Sequence, residues 1–318
     1  MLANDTGFTP SFFILIGIPS LEEYHMAFAA PLTVIYLITI LGNFTLLLAV
    51  KSTMSLQKPM YLLIALLSCS DIILSSSILP KMMGNFWFND REISFSVCFF
   101  QLFFVHAFAG VESGILTAMA IDRYVAVCNP LRYSTIITNS LVAKAGIALV
   151  ARSMVIVVPL TTLAARLPFC SRYIPHSFCE HIAVVKLSCV DITFNSTYGA
   201  AITLAVGAID LPTIAVSYIL ILRAILRLPR KDRFKAFSTC VAHVCVMSLF
   251  YIPILFSLSL HRSHTSIPLY IHILVVTAYL LLPPVANPLI YGLKTAEIRI
   301  GVLQMIHKRK ARILLCSF

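Results

Sequence analysis

Apolar residues run along this chain in seven stretches, each long enough to cross the ~30 Å hydrocarbon core of a bilayer as a helix, which takes about 20 residues. The stretches are Ala27–Val50, Pro59–Met83, Phe95–Val127, Leu141–Ala165, Tyr198–Leu226, Phe237–Leu260 and Leu269–Leu293. They predict an all-α membrane protein, a seven-transmembrane helix bundle over residues 27–293 with an outer segment 1–26 and an inner tail 294–318. Pro80, Pro159, Pro212, Pro253, Pro283, Pro284 and Pro288 fall inside the stretches. In water such prolines end helices. In a bundle, neighbouring helices and hydroxyls satisfy the freed carbonyls, so they predict kinks. The tail adds an amphipathic eighth helix, Ala296–Ile313. Its Ile298, Val302, Met305 and Ile306 are expected to face lipid, and its Arg299, Lys308, Arg309 and Lys310 acidic headgroups.

Composition removes the soluble alternatives. The chain is 59% hydrophobic and 12% charged, with a mean hydropathy of +0.92, too few charges to cover a water-soluble surface. The net charge of +11 does not mark a nucleic-acid binder. Seventeen Lys and Arg lie on one side of the predicted spans and six on the other, with Arg152 inside the fourth. The richer side faces the cytoplasm, which puts the amino terminus outside. No basic stretch precedes the apolar run Phe12–Ile18, so the first span is expected to act as signal anchor without a cleaved signal peptide. Asn4-Asp5-Thr6 and Asn195-Ser196-Thr197 are glycosylation sequons. Asn4 is the expected site, because Asn195 lies close to the fifth span.

Four cysteines, Cys98, Cys170, Cys179 and Cys189, reach the oxidising outer side. Three pairings are open to them. Cys98 starts the third span, so a bond from it to the long second outer loop would pin that loop over the bundle. The favoured set is Cys98–Cys179 with Cys170–Cys189; the alternative leaves one or more free. Charged groups at membrane depth cost at least ~2.5–3.5 kcal/mol each and therefore point to function. Asp71 lies 12 residues above Pro59, about 18 Å along its helix. Glu112 lies ten residues above Asp122, about 15 Å. With Asn43 and Asn287 they form one polar layer, in which two carboxylates would share a proton or a cation such as sodium. The layer reads either as a static network or as one that rearranges during switching. Asp122-Arg123-Tyr124 closes the third span at the inner face, where an Arg could hold a neighbouring helix shut until activation.

Residues Met119 through Tyr133, MAIDRYVAVCNPLRY, resemble the third-helix signature of olfactory receptors, a group within the rhodopsin-like G-protein-coupled receptors. Further matches are Pro59-Met60-Tyr61, Leu67-Ser68 with Asp71, Ser217-Tyr218, Lys235 through Cys240 with His243, and Pro283-Pro284 through Asn287-Pro288-Leu289-Ile290-Tyr291. Val105-His106, Val111 to Gly114, Cys179-Glu180-His181, Lys186-Leu187 and His261-Arg262 are similar to the class I, fish-like subfamily. The resemblance implies an odorant receptor of the plasma membrane, coupled to a stimulatory, olfactory-type G protein that raises cyclic AMP. It implies that Asp71, Glu112, Asp122, Arg123, Tyr124, Asn287, Pro288 and Tyr291 carry activation and coupling.

The resemblance also makes the ligand a small organic molecule, in particular a carboxylic (fatty) acid, with Arg262 as the acid anchor. A guanidinium fork matches a carboxylate through two hydrogen bonds. His106, two turns into the third span, is expected to donate a further one, and the aliphatic tail to lie among Phe104, Phe108, Ile202, Val206, Tyr251 and Leu255. Leu258 stands where some acid-binding members carry a hydroxyl. Closing the outer part of the sixth helix over the acid would pivot it near Pro253 and swing Arg230 to Lys235 outward, opening a cavity for the G protein. A receptor for a non-odorant metabolite is the nearest alternative. A transporter fits less well, since the chain shows no internal repeat. An enzyme is excluded, since His243, His261, His264 and His272 lack metal-ligand spacing and no nucleophile motif or phosphate loop appears. No cofactor and no nucleic-acid partner are expected.

Overall fold

The computed structural model describes residues 7–227, 229–262 and 268–305. Seven long helices form the bundle: α1 (His25–Ser52), α2 (Pro59–Phe88), α3 (Phe95–Cys128), α4 (Asn139–Ala165), α5 (Thr193–Leu226), α6 (Arg230–Arg262) and α7 (Leu269–Lys294). An eighth, α8, covers residues 296–305. Six of the seven are long and apolar enough to cross a membrane, and α6 carries the shorter described apolar stretch His243–Phe256. Several helices outrun their apolar stretches: α5 begins at Thr193, α6 at Arg230, and α2 continues to Phe88. Hydropathy marks the depth of the hydrocarbon, whereas helical hydrogen bonds continue through the headgroup layer, where polar side chains cost nothing. The helix ends follow local chemistry. Pro59 starts α2 where no N–H is needed. Ser94 and Thr138 accept the backbone N–H of Val97 and Leu141 to cap α3 and α4. Asn89, with φ 55°, closes α2 in the left-handed conformation. Every proline named above sits inside a continuous helix.

Burial is inverted relative to a soluble protein. Leu41, Ile147, Val155, Ile209 and Ile252 point outward. Asn43, Asp71, Glu112, Asp122, Asp210 and Asn287 are buried. Apolar packing joins the inner halves of the helices around Leu46, Ile64, Ile115, Met119 and Tyr291, and the outer halves around Leu74, Ile78, Val105 and Ile273.

The outer end carries a small sheet that helical periodicity does not announce. β1 (Phe12–Leu15) pairs antiparallel with β2 (Glu92–Ser94) and parallel with β3 (Tyr173–Ile174). Phe13 and Leu15 are fully buried, in one cluster with Ile93, Phe169, Ile174 and both cysteines of the Cys98–Cys179 disulfide. The Cys170–Cys189 disulfide closes the same loop. After β1 the chain turns at Gly17, whose φ of 92° suits glycine. The turn ends on His25, whose Nε2 accepts the Ile18 N–H at 3.1 Å while its ring stacks on Phe86. The run Phe12–Ile18 is therefore a docked strand and turn.

The lipid-facing expectation for α8 changes, and Val302 as well as Ile298 packs against the inner core. Ile298 of α8 is fully buried against the inner core, because α8 folds back under Leu56 and Tyr61; Ile300 and Leu303 are the exposed apolar residues. Ile306 and Lys308 to Lys310 lie outside the described residues, as does Asn4. Asn195 is buried in the first turns of α5, its Oδ1 enclosed by protein, so a glycan has no room there. Asn195→Gln should leave the glycosidase-induced gel shift of the receptor unchanged; loss of a shift in this variant would contradict the buried placement.

Candidate functional site

The site is built from three polar levels strung along α3. The outermost begins two turns below Cys98. There the Nδ1 of His106 lies 2.9 Å from the Leu102 carbonyl oxygen. A carbonyl only accepts, so Nδ1 carries the proton and Nε2 of the neutral ring is an acceptor. Nε2 is the ring nitrogen left to meet a ligand. Its ring stands 6.1 Å from that of His181, which is buried in a one-turn helix, His181–Val185, of the second outer loop. Gly199 of α5 lies directly beneath His181.

Glu180 caps that turn, its Oε2 accepting the Ala183 N–H at 2.7 Å. It lies deep in the protein yet keeps accessible surface, as does Tyr279 of α7. Burial opposes the Glu180 charge, but His176, the N–H groups of Ala183 and Ile182, and His106 outweigh it and hold the carboxyl below its usual range. Burial pushes His176 down to about 4. Burial, and then the charge of His106, also lower His181, against the pull of Glu180.

The expected tail contacts divide. Phe104 and Phe108 stack on each other, and Phe108 packs against the α2–α7 cluster while Ser70 donates to its carbonyl. Both stand two residues from His106, about 200° around the helix, so the structure does not bring them to the imidazole face. Ser113 does share that face, seven residues below. On α5, Ile202 and Val206 are half-buried at four-residue steps above Asp210, on its face of the helix. Tyr251 is buried and Leu255, one turn above it, is largely exposed. The side chains of Leu258 and Arg262 lie outside the described part of the structure.

The middle level was only partly legible. Arg152 Nη1 and Nη2 donate to the two carboxylate oxygens of Asp210 at 3.1 and 3.3 Å, and Nη2 also donates to the Gly110 carbonyl at 3.0 Å. Ser113 Oγ donates to Asp210 at 2.5 Å, and it accepts from the Tyr251 hydroxyl at 2.9 Å. One network thus ties α3, α4, α5 and α6 at this level. Asp210, Ser113 and the role of Arg152 were missed. The signal was present, for each charge is an ionisable residue in an otherwise apolar span.

On the opposite side of α3, Asn287 Nδ2 donates to both oxygens of Asp71 at 3.1 and 3.0 Å. Glu112 is in contact with Asp71 and Ser70, and its Oε1 is buried with no partner. Two touching carboxylates away from water cannot both be charged without a counter-ion, so they share a proton or a monovalent cation. Among the described residues no His, Cys, Asp or Glu cluster of three or more has the makings of a metal site. Asn43 lies beside this pair without bonding to it. Its Nδ2 donates to the Pro284 carbonyl at 2.9 Å, the oxygen whose helical donor would have been residue 288. Pro288 has no N–H, and Asn43 supplies the missing bond.

At the inner level Arg123 donates from Nε and Nη2 to its neighbour Asp122, which also accepts from the Tyr133 hydroxyl at 2.7 Å. The bonds that Arg123 makes among the described residues are thus within α3; a latch to another helix is not among them. Adjacent residues on a helix end reach each other at little entropic cost, which favours this pairing. Tyr124 packs between the inner core and the α5–α6 contact, and His243 lies 5.5 Å from Tyr291.

A family model described as Olfactory receptor matches residues 32–309. Human olfactory receptor 52N2 is 44% identical over 307 residues, covering 95% of each chain. Human olfactory receptor 52N1 is 45% identical over 311 residues, covering 96% of this chain and 97% of that one. Human olfactory receptor 52J3 is 46% identical over 308 residues, covering 96% and 99%.

Breaking the Arg152–Asp210 pair leaves a buried charge uncompensated, a loss of roughly 3–5 kcal/mol. Arg152→Met or Asp210→Leu alone should abolish most surface expression by flow cytometry, and the double variant should regain it. Equal expression of all three would show that the pair is dispensable for folding.

Proposed function

The chain belongs to the olfactory receptor family, and on that premise we propose that it is a receptor for small carboxylic acids that signals through a stimulatory, olfactory-type G protein to cyclic AMP. Family membership makes it a multi-pass plasma-membrane receptor for a small ligand, coupled to a G protein, and not an enzyme. The acid and the stimulatory coupling are our reading. In it, residues 1–26 lie outside, 27–293 form the signalling bundle, and 294–318 lie along the inner face.

The neighbouring imidazoles of His106 and His181, with the Ser113–Tyr251 hydrogen bond two turns below His106, carry the reading. His181, whose Nε2 is buried without a hydrogen-bond partner among the described residues, takes up a proton as the acid binds, and the resulting imidazolium pairs with the carboxylate. Arg262 gives the acid a second, bidentate contact, and Ile202 and Val206 flank its tail. As α6 closes on the acid it turns near Pro253, two residues above Tyr251, and strains the Tyr251–Ser113–Asp210 bonds. The shift passes to Asp71, Glu112 and Asn287, and then to Pro288, Tyr291 and the Asp122-Arg123-Tyr124 triplet. A ligand moves this equilibrium only by its preference for the closed state.

In cells reporting cyclic AMP, straight-chain acids of graded length should activate the parent receptor. Arg262→Ala should raise the half-maximal concentration by at least roughly tenfold, the worth of one charge-assisted pair. An unchanged response at normal surface expression would remove the anchor, and a response that survives loss of the stimulatory G protein would remove the coupling.

The lowered pKa of His181 gives the pH dependence a sign. The ring is neutral without ligand, and a bound carboxylate favours its charged form, so binding takes up a proton. Affinity therefore rises as pH falls, by up to about tenfold per unit. His181→Asn should flatten the pH profile of the acid response; a parent receptor with no slope would refute proton uptake.

A further inference from the structure

On the lipid side of the bundle α1, α7 and α8 enclose a groove of about 700 Å³. Its wall is apolar from Val34 to Leu46 of α1, Thr45 included, because that hydroxyl donates to the Leu41 carbonyl at 2.7 Å. The floor is where Gly42 meets Pro288; a Cβ on Gly42 would come within 2.9 Å of the proline ring. At Gly292 the groove is open, and an added Cβ would meet nothing within 4 Å. From α8, Leu303 forms part of the rim, and Arg299 supplies the one charge among the lining residues.

We propose that this groove holds one acyl chain of an anionic phospholipid from the inner leaflet, with its phosphate on Arg299. Twelve residues separate Val34 from Leu46, about 18 Å of helix. One leaflet's hydrocarbon is ~15 Å thick, so the groove accommodates a single chain lying along α1. Arg299 is exposed and enters no salt bridge among the described residues, the nearby Glu297 included. It sits at the inner end, where anionic headgroups gather. A sterol would leave the guanidinium without an anion. The α1 face of a second copy carries no carboxylate over this stretch and would do the same.

The test is native mass spectrometry of the purified full-length receptor, equilibrated with 1-palmitoyl-2-oleoyl phosphatidylglycerol or with the phosphatidylcholine of the same chains. The parent should retain phosphatidylglycerol over phosphatidylcholine. Arg299→Gln should lower phosphatidylglycerol retention roughly fivefold, the worth of one basic residue at a charged surface, and leave phosphatidylcholine unchanged. Gly292→Phe, whose Cβ would meet nothing within 4 Å, should lower retention of both. Retention equal in the parent and both variants would overturn the proposal. So would a dimer peak that Gly292→Phe removes while lipid retention stays constant, for that would assign the groove to a second copy.

Discussion

No water reaches the hydrocarbon core of a bilayer, so each polar group that this chain carries there must find its partner within the protein, on its own helix or on another. Three pairings set how the helices lie. Asn43 of α1 bonds to the Pro284 carbonyl of α7, Asp71 of α2 accepts from Asn287 of α7, and Arg152 of α4 pairs with Asp210 of α5. Apolar packing alone does not specify this arrangement, because lipid tails compete for the same surfaces. A proline in one helix thus requires an asparagine in another. The same constraint accounts for the exposed leucines and isoleucines and the buried acids.

Other buried polar atoms take no protein partner among the described residues. Glu112 Oε1, Asn287 Oδ1, Asn43 Oδ1 and His243 Nδ1 are buried without hydrogen-bond partners. They lie between the middle and inner levels, along the route by which a change at the outer end would have to travel. Above them the structure is over-determined. Two disulfides, a three-stranded sheet and the stacked His25–Phe86 pair fix the loop that carries Glu180 and His181. Disulfides and sheet thus hold this loop against the outer ends of the helices.

Much of this was legible in the residues. Seven spans, their direction, the continuous proline-containing helices and the juxtaposition of Asp71, Glu112 and Asn287 all follow from rules that act on single helices. What escaped the reading depended on rotation about a helix or on pairing between distant segments. Phe104 and Phe108 were grouped with His106 by height, yet two residues turn the helix by about 200°. Ile298 looked lipid-facing by period, but α8 folds under the bundle and buries it. The strand Phe12–Leu15 forms only against partners some 80 and 160 residues away, and no local pattern encodes such partners.

By itself the sequence determined how many times the chain crosses the bilayer, which way round, and which family it resembles, because the bilayer imposes length, hydropathy and charge on each span separately. The tertiary structure alone decided which buried charges meet. Arg152 and Asp210 are 58 positions apart, and only the rotation and height of α4 and α5 bring one to the other. It also decided what each polar atom can do. The Leu102 carbonyl takes the His106 proton, and Pro288 leaves a carbonyl for Asn43, because hydrogen-bond roles are assigned by neighbours in space.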